Sequence, residues 1–175
     1  IDIDISLSGN PTTTEEKAPY ENIVKYFADS VYESSNGINK LGTVTFHVNG
    51  AEANQSDIVW TAKGHPSSSV AGFGTPGKHV NMYDVFQDGG GKGIDYDFKE
   101  NDEHQRAAGY TLGHEFGHLY YSLYDEYKYT SNDLDCAIRN LILSQPHCSD
   151  TPVPDSVMNS QFNALNGNYS WLNFS

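Results

Sequence analysis

His114-Glu115-Phe116-Gly117-His118 stands inside a run, Glu100 to Leu123, whose apolar residues Ala107, Ala108, Leu112, Phe116, Leu119 and Leu123 recur at helical intervals. The spacing predicts one long helix with an apolar stripe, which forces the rest of the chain to supply a surface to cover it. Residues four apart on a helix share a face, so the two imidazoles can reach one ion. Glu115 lies about a hundred degrees round from His114, within reach of a water on such an ion but not placed to displace an imidazole. Zinc accepts nitrogen ligands of this kind, and a catalytic zinc keeps three protein ligands and one open position. A helix with two core or solvent-facing histidines is the plainer reading. Against it, the five other histidines are dispersed, at 47, 65, 79, 104 and 147, so the pair does not belong to a histidine-rich tract. Asp125 and Glu126 also follow the helix, where a turning chain can bring a carboxylate back toward an ion.

The N-terminal part predicts the covering surface. Asp2 to Ser8 alternates polar and apolar, as a half-buried strand does. Pro11 to Thr14 supply a turn and a cap, with Glu15 and Glu16 suited to a first helical turn. Ile23, Val24, Phe27, Ala28 and Val31 mark an amphipathic helix over Tyr20 to Tyr32, stopped by Asn36-Gly37. Gly42 to Val48, Ile58 to Ala62 and His79 to Phe86 read as further strands. Between the last two lies a Gly/Ser/Pro-rich loop, Gly64 to Gly77, and Gln87 to Gly93 follows as a flexible stretch. Beyond Asp125 only Ala137 to Leu143 looks helical. The expectation is an α+β fold with a small twisted, mostly parallel sheet, two long helices and an irregular C-terminal part. No repeat or linker divides the 175 residues, so one domain spans 1–175. Residues 1–113 carry the sheet, the first helix and the start of the histidine helix, and 114–175 carry the rest.

Charge limits the partners. Ten Lys+Arg against 23 Asp+Glu give a net charge of -13, without the basic clusters that neutralise phosphates. A nucleic-acid or anionic-membrane partner is therefore not expected. No apolar run reaches the roughly 18 residues needed to span a bilayer, so membrane insertion is not expected either. Low Lys/Arg, abundant Tyr, Asn, Ser and Gly, and one possible cysteine pair fit an exported, secreted chain; Asn54, Asn168 and Asn173 match the N-glycosylation pattern, but such matches arise by chance in an Asn-rich chain. The start at Ile1, without Met or a leader, is read as a removed signal peptide or a cut from something longer. Cys136 and Cys148 flank Pro146 in a loop-like stretch. A disulfide there would stabilise by about 3 kcal/mol on the loop-entropy model, and two free thiols are the alternative. Asp95-Tyr96-Asp97 and Asp133-Leu134-Asp135 offer carboxylates to Ca2+ but lack the spacing of an EF-hand loop, so a stabilising Ca2+ stays an open alternative to solvated surface.

The helix motif also carries a resemblance. In the metzincin peptidases the second histidine is followed by a glycine at the third position and a His or Asp at the sixth. Here those positions hold Tyr121 and Tyr124. The stretch His114 to Tyr127 instead resembles the N-terminal catalytic domain of the calcium-activated chloride channel regulators, self-cleaving metalloproteases with an HExxHxxxGxxDE pattern. His114, Glu115, His118, Asp125 and Glu126 match it position for position, and Ser122 replaces the family glycine. The close likeness covers about Gly109 to Tyr127. It implies zinc held by His114, His118 and Asp125, with Glu126 beside them as an alternative ligand or supporting carboxylate. Ser156-Val157-Met158-Asn159 resembles the Met-turn of that clan, with Met158 as an apolar floor beneath the metal.

On this reading Glu115 is the general base of zinc peptide hydrolysis, and the substrate is a protein or peptide, cut in trans or by self-processing. The substrate is expected along an edge strand, with Val80, Met82 and Asp84 in His79 to Phe86 as the candidate. Tyr120, Tyr121, Tyr124 and Tyr127 line a pocket, assist the oxyanion or, the plainer role for most, simply pack. A monomer is expected. The competing reading is a secreted binding or assembly module with a structural zinc and no turnover, against which Glu115 beside an open metal position argues.

Overall fold

A computed structural model describes residues 1–70, 72, 74–87, 96–123 and 156–158 of the chain. Its elements are β1 (Ile3–Leu7), α1 (Thr14–Ser34), β2 (Val44–His47), β3 (Ile58–Gly64), β4 (Val80–Phe86), β5 (Tyr96–Asp97) and α2 (Asp102–Tyr121). The fold is α+β, with a five-stranded sheet in the order β2-β1-β3-β4-β5. The first four strands in that order run parallel and β5 is antiparallel to β4. Register places Ile5 beside Ile58 and Ile58 beside Val80, and one row on it places Leu7, Trp60 and Met82 in line. Side chains two apart on a strand share a face, so these rows form one apolar surface. Ile23, Phe27 and Val31 of α1 and Leu112, Phe116 and Leu119 of α2 complete a single core with it. Each such side chain, fully buried, contributes about 1.5–3 kcal/mol of transfer free energy.

Both helices are capped by their own sequence. The Thr13 hydroxyl accepts from Glu16 N at 3.2 Å, while the Glu16 carboxylate accepts from Thr13 N at 3.1 Å, a reciprocal capping box. This box starts α1 at Thr14, six residues before the apolar pattern begins at Tyr20, and the helix accommodates Pro19 in its second turn. Asn101 caps α2, its side-chain oxygen accepting from His104 N at 3.0 Å.

The two helices lie unusually close. A β-carbon built on Gly109 would collide with Tyr26 Cβ and come within 2.8 Å of Ile23 O and Phe27 N, and one on Gly113 would collide with the Ser30 hydroxyl. Phe27 and Phe116 then meet edge to face, ring centres 5.3 Å apart. The glycines are therefore required by contact with the neighbouring helix, one turn apart on α2.

The sheet corrects the expected substrate edge. β4 is not the outermost strand: Val85 and Phe86 pair with Asp97 and Tyr96 of β5, and Ser67 bridges Asn81. Val80 and Met82 are fully buried in the core. Asp84 accepts from Tyr20 Oη at 3.0 Å and pairs with Lys99 Nζ at 2.7 Å. A two-residue strand is too short to show any period, which is why β5 left no trace in the sequence pattern. Among the described residues no helix is long and apolar enough to cross a membrane.

Replacing Gly109 by Ala adds a methyl group against main-chain atoms that cannot rotate away. The gain of about 1 kcal/mol in helix propensity should be outweighed by overpacking of about 1–3 kcal/mol. Urea unfolding of Gly109→Ala is expected to show a lower midpoint than the parent chain. A higher midpoint would mean that the helices are not in this contact.

Candidate metal centre

Within α2, His114, Glu115 and His118 are 6%, 8% and 7% exposed. Burial of three titratable side chains on one helix face is costly unless each is held by polar partners. Both imidazoles have such a partner on the same ring nitrogen. His114 Nδ1 lies 2.9 Å from Val157 O, and His118 Nδ1 lies 2.8 Å from Leu123 O. A carbonyl only accepts, so each Nδ1 carries the proton and donates it. In the neutral ring this makes Nε2 the nitrogen with the lone pair, the tautomer that a metal ligand needs. The rings stand nearly perpendicular, at 86°, with centres 4.8 Å apart.

The two carbonyls reach the helix by different routes. Leu123 belongs to the turn that ends α2. Ser122 takes the left-handed conformation, φ 57° and ψ 33°, and the N–H groups of Ser122 and Leu123 both donate to Gly117 O. The reversal aims the Leu123 carbonyl back at His118. Ser122 is thus a non-glycine residue in the left-handed region, at a cost of about 1–2 kcal/mol. Gly72 approaches the same turn: a β-carbon on it would lie 3.5 Å from Ser122 Oγ. Val157, in contrast, is 43 residues from His114 in sequence. Its neighbour Met158 is fully buried, with Met158 N donating to Ser156 Oγ at 3.1 Å. The segment 156–158 therefore lies against the histidine helix.

The aromatic residues after His118 pack together. Tyr120 stacks on Phe116 with centres 5.0 Å apart, and Tyr121 meets Tyr120 edge to face at 4.7 Å. Burial pushes the Tyr121 phenol up to about 12, aided by neighbouring Tyr120, so it stays protonated at neutral pH. Packing accounts for these two; Tyr124 and Tyr127 lie outside the described residues.

Asp84 is remote from the histidines. It bonds to Tyr20 of α1, whereas Gly113, next to His114, meets Ser30. Ten residues of helix separate those two points, about 15 Å. Asp125, Glu126, Cys136 and Cys148 lie outside the described residues. Among the described residues no three His, Cys, Asp or Glu side chains converge as a metal-holding group, and the described part of the candidate site is the histidine pair with Glu115. The donor set fits zinc: two imidazoles of fixed tautomer, with hydrogen-bonded outer partners. Sequence reasoning did not reach the Val157 and Leu123 carbonyls, because a main-chain oxygen has no residue identity to read. The departure at Ser122 was the one usable signal.

Comparison of the chain with protein-family models and with curated proteins finds no match.

The turn itself can be tested. Ser122→Val places a β-branched residue at positive φ and is expected to lower stability by about 1–2 kcal/mol, whereas Ser122→Gly should hold it level or raise it by up to about 1 kcal/mol. Chemical denaturation of both variants checks the pair. Equal stabilities would contradict a left-handed residue at this position.

Proposed function

We propose that the chain is a zinc-dependent endopeptidase of the metzincin type, resembling the catalytic domain of the calcium-activated chloride channel regulators. The observation that carries this reading is the matched pair of Nδ1 to carbonyl hydrogen bonds, at 2.9 and 2.8 Å, on two buried histidines that flank Glu115. A core histidine with no further role needs a partner, but two neighbours with the same nitrogen protonated and the same nitrogen left basic meet a ligand's requirement. That one of the carbonyls precedes Met158 supports assigning 156–159 to a Met-turn.

His114, His118 and Asp125 are the proposed zinc ligands, with Glu126 beside them. Zinc in that set supplies Lewis-acid activation of water and of a peptide carbonyl. Glu115, buried and adjacent to His114, accepts the proton of the attacking water and delivers it to the departing amine nitrogen. The water oxygen bonds to the carbonyl carbon as the C–N bond breaks, so the proton that Glu115 carries is the one the amine requires. The net charge of -13 suits a secreted hydrolase that stays in solution and away from nucleic acid and anionic surfaces. Cys136 and Cys148 are assigned to a bridge between the zinc helix and the Met-turn.

Elemental analysis together with digestion of a broad peptide library, run on the parent chain and on Glu115→Gln, tests the assignment. Both proteins should hold about one zinc per chain, with kcat/KM reduced at least about a hundredfold in the variant. Full activity in Glu115→Gln would remove Glu115 as the base. One zinc without cleavage in either protein would leave a structural-zinc binding module instead.

A further inference from the structure

Thr111 lies one helical turn before Glu115 on α2, at the i,i+4 position, and at i,i+3 from His114. It is 3% exposed, and its hydroxyl has no hydrogen-bond partner among the described residues. A threonine inside a helix ordinarily satisfies itself on the carbonyl four residues earlier, and here it does not. A buried hydroxyl left in that state is destabilising, which makes it a group to be explained. The Ser30 and Ser34 hydroxyls, in the same condition, belong to α1, and Ser30 faces Gly113 on the opposite flank. Thr111 is on the flank that carries His114, Glu115 and His118. Long side chains on a helix lean toward its N-terminus, a direction that takes a side chain at position 115 toward the turn that holds Thr111.

We propose that Thr111 is a positioning residue for the base: in the zinc-loaded protein its hydroxyl donates a hydrogen bond to the Glu115 carboxylate and holds it in one rotamer. The inference rests on the zinc peptidase reading. An ionised carboxylate only accepts, so the direction of the bond is fixed, and a charge-assisted bond of this kind is stronger than a neutral one. It satisfies the buried hydroxyl and limits the freedom of a base whose placement decides the proton transfer.

Thr111→Val keeps the shape and removes the donor, while Thr111→Ser keeps the donor. With zinc present, Val at this position should lower kcat about tenfold or more, leave KM and zinc content near those of the parent chain, and be largely reversed by Ser. A double-mutant cycle of Thr111→Val with Glu115→Ala, read from urea unfolding rather than from turnover, should show a coupling of at least about fivefold in the unfolding constant. A Val variant with kcat within twofold of the parent, or an additive cycle, would overturn the assignment. A parent chain that binds zinc but cleaves nothing would overturn the peptidase reading alone, and the unfolding cycle would still decide whether Thr111 and Glu115 interact.

Discussion

The approach of α2 to α1 governs the rest of the molecule. With Gly109 against main-chain atoms of Ile23 and Phe27 and Gly113 against the Ser30 side chain, the helices touch closely over one full turn, and Phe116 meets Phe27 edge to face. That contact fixes the rotation of α2 about its own axis. Once one flank is committed to α1 and Leu112 and Leu119 to the core, His114, Glu115 and His118 have only one direction left to face. A helix that packs to atomic contact in this way is stiff, and stiffness is what the proposed ligands and base would require.

The imidazoles are then oriented from outside the helix. One carbonyl comes from the left-handed turn at Ser122 and the other from a segment 43 residues away in sequence. The two hydrogen bonds do more than satisfy buried nitrogens. They select a tautomer, and they tie the end of α2 and the Met158 segment to the same pair of rings. Removing either would free a buried polar ring to rotate, with the penalty that attends any unpaired polar group in a core.

Much of this was legible in the residues. The α2 stripe and the alternation of β1 appear in the structure where periodicity put them, because both elements are amphipathic and long enough to show their period. The parallel pairing of β1 with β2 goes with the long helix between them, whereas β3 and β4 run parallel across a connection with no helix among its described residues. The start of α1 was legible as well: the cap expected within Pro11 to Thr14 is Thr13, Glu15 and Glu16 stand in the first turn, and the helix runs on through Pro19 into the apolar pattern that begins at Tyr20. β5 was invisible because two residues have no period, and it makes β4 an inner strand by pairing with Val85 and Phe86. Asp84 in fact serves Lys99 and Tyr20. At the site, side-chain chemistry was readable in His114, Glu115 and His118. The carbonyls that orient the histidines were not, because they depend on the path of the chain alone.

The central claim is that His114 and His118 are held as a matched pair of Nε2 ligands. Nitrogen-15 NMR of the imidazoles, recorded with and without zinc, addresses it directly. The account predicts that both rings carry the proton on Nδ1 before zinc is added, and that both Nε2 resonances move on binding while the Nδ1–H signals persist. Protonation of either ring at Nε2, or an Nε2 signal that ignores zinc, would contradict it.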